Sequence, residues 1–299
     1  MTVKELNRQF AIEGFLTFVE GYGEMAIAMV SNDFASSQIS VYGAHVMSYE
    51  PADKDDALMM CHKSAYQKGK PLRGGIPLCF PWFGANSTDN RLPSHGFARL
   101  MDWNVKGASQ LDNGATQIVF YLTDSVVTRK MWPYSFRTEL TITVGETLEM
   151  SWTTFNTGKE SFPLTSALHS YFATEDVTML SVKGLQGVTY LDNLNQLEPI
   201  VEENEAIIID KEVNRCYMDT DAECVIEDAS LDRTIRIRKR GSKSTVVWNP
   251  WIETAKSITD MSNNEYLEFV CVETANVHHN KVVVAPGESQ TISLSISVE

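Results

Sequence analysis

The feature that most limits what this chain can fold into is a period of two. In TELTITVGETLEMSWTTF, residues 138–155, Leu140, Ile142 and Val144 alternate with Thr141 and Thr143. Gly145-Glu146 then offers a turn, after which Leu148, Met150 and Trp152 alternate with Glu149, Ser151 and Thr153. Side chains of an extended backbone point to opposite faces in turn, so this pattern predicts an antiparallel hairpin with one buried face. TISLSISV (291–298) repeats the alternation through Ile292, Leu294, Ile296 and Val298, and QIVFYL (117–122) and STVVWNP (244–250) read as further strands. Helical patterns are few and short: VKELNRQF (3–10), and more weakly DALMMCHKSAYQ (56–67). No linker, repeat or low-complexity block divides the chain. The expectation is an all-β fold, a large antiparallel β-sandwich with a few short helices and long functional loops, formed by residues 1–299 as one domain.

Charge and cysteine content narrow the partners. The net charge is −14, which would repel nucleic acid and anionic membrane. The dense basic stretch TIRIRKRGSKS (234–244) therefore reads as an exposed hairpin with Arg236 and Arg238 facing solvent. Five cysteines with no C-x-x-C predict reduced thiols in a cytoplasmic protein. The first residues lack the apolar core of a signal peptide, and no apolar run is long enough to span a bilayer.

Four stretches could carry chemistry. PLRGGIPLCFPWFG (71–84) combines a rigid backbone with Phe80, Trp82 and Phe83, flat surfaces of the kind that pack on sugar rings, and with Arg73, whose fork suits phosphate or carboxylate. LPSHGFARLMDW (92–103) places His95 before a glycine and Arg99 four residues on. PLTSALHSYFATED (163–176) sets His169 in an apolar run, either as a core histidine or as a general acid. LEFVCVETANV (267–277) puts Glu273 at the end of a continuously apolar run, where an ionised carboxylate costs several kcal/mol unless paired or open to a ligand. Glu273 shares strand parity with Phe269 and Cys271, whereas Glu268 has the opposite parity and reads as a solvated charge. No metal-ligand spacing occurs, since His278-His279 in a strand would point apart.

RGGIPLCFPWFG, LPSHGFAR, ALHSYF, VKGLQGVTYLDN, VVWNP and FVCVETA occur in this order over residues 73–276. Together they resemble the aldose 1-epimerase (mutarotase) superfamily, most closely its hexose-6-phosphate branch. The resemblance implies a galactose mutarotase-like supersandwich that interconverts the anomers of a hexose 6-phosphate without a cofactor. It implies His169 as the acid toward the ring oxygen and Glu273 as the base toward the anomeric hydroxyl. His95, Arg73 and Arg99 would bind substrate, the arginines at its phosphate, with Trp82 as a further binding surface. The family's aspartate before Arg-Val-Tyr is here Asn214, in EVNRCY, which can still accept and donate hydrogen bonds but lacks charge. The expected partner is a small-molecule sugar phosphate, with no nucleic acid or membrane, and the chain is expected to be a monomer or weak homodimer. Alternatives are a mutarotase for unphosphorylated aldoses and a non-catalytic sugar-phosphate-binding protein on the same scaffold.

Overall fold

A computed structural model describes residues 1–299. The predicted hairpin is present as strands Phe136–Val144 and Leu148–Asn156, paired with Val144 opposite Leu148. Its inward residues Leu140, Ile142, Val144, Leu148, Met150 and Trp152 are all buried, as the alternation requires. Ser289–Val298 pairs with the second of these strands and Thr116–Thr123 with the first. They form the middle of a nine-stranded sheet whose order runs from Ala206–Ile208 at one edge to Asn104–Gln110 at the other. An eight-stranded sheet packs against it. In order, its strands are Glu198–Val201, Thr189–Asp192, Val213–Tyr217, Ser244–Asn249, Phe269–Asn276, Ser166–Leu168 and Leu78–Cys79, with Tyr171–Ala173 also on Phe269–Asn276. Every paired strand is antiparallel. A smaller five-stranded sheet is built from residues 16–51.

The core between the two large sheets joins Leu140, Ile142, Met150, Leu294 and Ile296 of one to Val247, Val270, Val272 and Leu168 of the other. The eight-stranded sheet is also covered on its second face, by the loops of residues 57–84 and the helix Trp251–Ser257. Two small apolar clusters form there, around Phe269 and Cys271 and around Cys79 and Val246. The Phe269–Asn276 strand is therefore buried on both faces along its whole length.

The first helix, Val3–Phe10, forms as expected, and a reciprocal Thr2–Glu5 capping box begins it. Residues 56–67, the weaker helical candidate, do not form a helix. Their backbone is recruited by neighbours instead: Met59 N–H donates to Tyr171 O, Cys61 N–H to Arg73 O, and Gly75 N–H to Met59 O. Tertiary pairing here outweighs a weak local preference. The basic stretch divides by strand parity. Arg236 and Arg238 face outward and pair with Glu223, at 3.0 and 2.6 Å. Lys239 turns inward and donates to Ser244 O at 2.8 Å. His278 and His279 lie in a short 3₁₀ turn, not in a strand. All five cysteines are buried and unbridged. No helix is long and apolar enough to cross a membrane.

Candidate active site

The Phe269–Asn276 strand positions the carboxylate. Val270 and Val272 point into the main core, so Phe269, Cys271 and Glu273 point to the opposite face. Glu273 is only 2 % exposed and has no cationic side chain in contact. Glu268 lies before the strand, in a 3₁₀ turn, partly exposed and 3.7 Å from His62.

His169 reaches Glu273 from the adjoining chain. It sits between the short strands Ser166–Leu168 and Tyr171–Ala173, with its backbone N–H donated to Pro77 O. Its Nε2 is 3.4 Å from Glu273 Oε1. The ring is stacked on Tyr171, with centroids 4.9 Å apart and planes 11° from parallel, and Trp248 meets it edge-on. His169 Nδ1 and Glu273 Oε2 are both buried and have no hydrogen-bond partner. Such unsatisfied groups are rare in a protein interior and mark places reserved for a ligand or strain.

Burial sets the charge state of the pair. Loss of hydration pushes the Glu273 carboxyl well above the ordinary carboxylate range, against a small opposing pull from Arg99. The same loss, reinforced by His95, Arg99 and Arg73, holds His169 well below the usual imidazole value. Both shifts favour the neutral forms, a carboxylic acid and a neutral imidazole, over a carboxylate and an imidazolium. Nε2 and Oε1 lie 3.4 Å apart without the alignment of a hydrogen bond, so a proton passes between them only after one group reorients.

His95 is held by both its backbone and its ring. Its N–H donates to Gly84 O at 2.7 Å, its O accepts from Phe80 N–H, and its φ is +62°. Its Nδ1 accepts from Gly84 N–H at 3.4 Å and lies 3.3 Å from Cys79 Sγ. A nitrogen that accepts from an amide carries no proton, so the neutral ring bears its proton on Nε2. Burial, with Arg99 and Arg73, depresses the ring's basicity to a pKa of about 3. Beside it Gly96 has φ +73°, and a Cβ there would lie 1.9 Å from Phe80 O. Gly96→Ala is therefore expected to lower the urea midpoint by an amount equivalent to about 2 kcal/mol or more, as read by equilibrium unfolding.

Arg73 lies on a loop and Arg99 in the 3₁₀ turn Ala98–Leu100. Arg73 Nε donates to Asp260 Oδ1 at 2.9 Å and its Nη1 lies 3.4 Å from Tyr171 Oη. Arg99 Nη2 donates to Ser94 O, while its Nε is buried without a partner. Each lies close enough for its charge to act on the other, on His95 and on His169. Asn214 lies across the sheet, opposite Trp248, and its side-chain O accepts from Asn193 Nδ2 at 2.7 Å. Trp82 packs within its own loop region. Its ring packs edge-on against Phe97 and its N–H is donated to Pro93 O, whereas the neighbouring Phe83 lies edge-on to His95 at 4.8 Å.

The His169–Glu273 contact, within the field of Arg73 and Arg99, is carried by a two-sheet antiparallel sandwich. The sequence profile of the family described as aldose 1-epimerase matches residues 25–297. The chain belongs to that family. A Salmonella typhimurium protein provisionally named glucose-6-phosphate 1-epimerase is 34 % identical over 84 % of this chain and 83 % of its own. One from the grass Cenchrus ciliaris, with the same provisional name, is 32 % identical over 87 % and 80 %. The crystal structure of a provisionally assigned Salmonella typhimurium mutarotase superposes with a TM-score of 0.89 at 29 % identity, covering 99 % of this chain and 98 % of that one.

Several groups around His169 and Arg73 were not singled out by sequence. Tyr171 and Trp248 pack their rings against His169, and Asp260, on the loop after the Trp251–Ser257 helix, holds Arg73. Asn193 holds Asn214. Strand parity could have found Trp248, which lies on the same face as Val246 opposite Glu273, but nothing local marks Asp260. The epimerase has clefts elsewhere, of about 580 Å³ beside the first helix and 590 Å³ on the open face of the nine-stranded sheet. Neither holds His169, Glu273, His95 or the two arginines.

The buried carboxyl also predicts a pH signature in stability. A folded pKa raised above the unfolded value favours the fold below about pH 4.5, and that contribution is lost as pH rises through the folded value. Glu273→Gln removes the loss. Its urea midpoint should match the parent near pH 4 and exceed it by a growing margin between about pH 5 and 9. Parallel midpoints over that range would contradict a carboxyl that is hard to ionise.

Proposed function

We propose that this epimerase interconverts the α and β anomers of a hexose 6-phosphate, with His169 and Glu273 as its catalytic residues. The observation that carries the reading is the His169–Glu273 pair, with one free buried atom on each partner, within the field of Arg99 and Arg73. Ring opening needs a base at the anomeric hydroxyl and an acid at the ring oxygen, together holding one mobile proton. Glu273 takes the hydroxyl proton as the C1–O5 bond breaks, and His169 delivers its proton to O5. Rotation about C1–C2 and reclosure with the roles reversed gives the other anomer. Each positioned acid or base contributes about 10²–10⁴-fold. No cofactor is required, because nothing is oxidised or transferred to another molecule.

His95, a neutral ring with Nε2–H available, donates to a sugar oxygen. Arg73 and Arg99 bind the phosphate, Arg99 contributing the unused Nε. Asn214 contacts hydroxyls through an amide already ordered by Asn193. For aromatic contact we favour Phe83 and Trp248 over Trp82, whose indole N–H is already used. Residues 1–299 act as one mutarotase-like sandwich domain. A monomer or weak homodimer is part of the same proposal, and five buried free thiols favour the cytoplasm. The relatives' provisional names point to glucose 6-phosphate among the hexose phosphates.

The test is anomer exchange followed by NMR on glucose 6-phosphate, other hexose 6-phosphates and glucose. Faster exchange of the phosphates than of glucose supports the reading. Equal acceleration of glucose would favour a mutarotase for unphosphorylated aldoses, and saturable binding without acceleration would favour a binding protein.

A further inference from the structure

One side chain joins the acid/base pair to the arginine pair. The Tyr171 ring stacks on His169, while its hydroxyl lies 3.4 Å from Arg73 Nη1. Asp260 holds the Nε of the same guanidinium at 2.9 Å. Trp248 braces both stacked rings edge-on, at 5.9 Å from His169 and 6.0 Å from Tyr171. Tyr171 is 1 % exposed, so it cannot shift without disturbing His169. The site thus holds two guanidinium groups whose charges fall on His169, Arg73 paired with Asp260 and Arg99 with no carboxylate partner.

We propose that a tetrahedral dianion held between Arg73 and Arg99 activates the His169–Glu273 pair, so that the 6-phosphate belongs to the acid/base device and is not merely an anchor. This rests on the hexose 6-phosphate reading above. The dianion cancels the positive field that opposes an imidazolium at His169. Both arginines act on His169, but only Arg99 acts on Glu273, so cancelling both favours moving the shared proton from the carboxyl to the imidazole. That transfer requires Nε2 and Oε1, 3.4 Å apart and not hydrogen-bonded, to align, and it leaves a carboxylate base and an imidazolium acid, with no atom gained or lost. Arg73, drawn to the anion, also fixes the Tyr171 hydroxyl and, through the stack, the plane of the His169 ring.

The experiment separates the phosphate from the sugar. Glucose serves as the truncated substrate and sulfate as the probe, because sulfate is a tetrahedral dianion too weakly basic to catalyse mutarotation itself. Exchange rates are measured by NMR and corrected with protein-free samples. Sulfate is expected to raise protein-catalysed glucose exchange saturably, by about tenfold or more, a tenth or less of what one positioned acid or base supplies at the upper end. The half-saturating concentration should match that at which sulfate inhibits glucose 6-phosphate exchange. Tyr171→Phe keeps the stacked ring but loses the hydroxyl, so sulfate should still compete with glucose 6-phosphate while its activation of glucose falls. Sulfate that competes yet leaves glucose exchange unchanged or slower overturns the proposal. So does sulfate that never competes, or full activation in Tyr171→Phe. If glucose 6-phosphate itself exchanges at the uncatalysed rate, the proposed function fails instead.

Discussion

Replacing Glu273 with glutamine is expected to lower protein-catalysed exchange of glucose 6-phosphate anomers by about 10²–10⁴-fold, the contribution of one positioned base. The substitution suits the test because it changes almost nothing else. Glutamine matches the volume of the carboxylic acid that the dry site favours at rest, so the packing against Cys271 and Val246 is kept. It can still meet His169 Nε2, but it can neither take a proton from a sugar hydroxyl nor share one with the imidazole. The variant should also resist alkaline unfolding better than the parent, since a buried group that is costly to ionise has been removed. Lost activity with retained or improved stability is the pattern of a carboxylate kept for chemistry. His169→Gln should lose exchange to a similar degree. The less conservative His169→Ala would also open a cavity beside Tyr171.

The second large effect is one of specificity. Arg99→Ala should reduce kcat/KM for glucose 6-phosphate by about 10–100-fold, corresponding to one charge-assisted contact of about 1.5–3 kcal/mol. Exchange of glucose should fall by a much smaller factor. Arg99 is the sharper choice because its Nε has no partner, whereas Arg73 is already engaged by Asp260. Removing Arg73 would leave the Asp260 carboxylate unpaired and confuse a binding effect with a structural one. Steady-state kinetics on the two sugars, run in parallel, reads the difference directly. Equal losses on both sugars would move Arg99 from phosphate recognition to ring binding or structure.

How much of this was legible in the sequence depends on how far apart the deciding residues lie. The strands from Thr116 to Asn156 and at Ser289–Val298 follow from alternation, because one buried face is a property of a few consecutive residues. Glu273 stood out for a related reason: a carboxylate ending an apolar run signals a strand buried on both sides, and the structure has one. The resemblance, through short motifs in order, picked out the loops that bring His95, His169, Arg73 and Arg99 to one place. Residues 56–67 misled because the short apolar run Ala57–Cys61 suits a buried loop as well as a helix, and only distant Tyr171 and Arg73 decide between the two. In Pro71–Gly84 the sequence offers three aromatic rings without saying which faces the pocket. The backbone path turns Phe83 to His95 and Trp82 to Phe97. Asp260 was invisible, since its role exists only where a loop 187 residues from Arg73 passes beside it.

The most direct measurement is two-dimensional exchange NMR on glucose 6-phosphate at equilibrium, with and without a catalytic amount of the protein, near pH 7. The account predicts cross-peaks between the α and β anomers that grow in proportion to the wild-type protein and vanish to the background rate with Glu273→Gln. Background exchange with the wild-type protein, or undiminished exchange with Glu273→Gln, would contradict it.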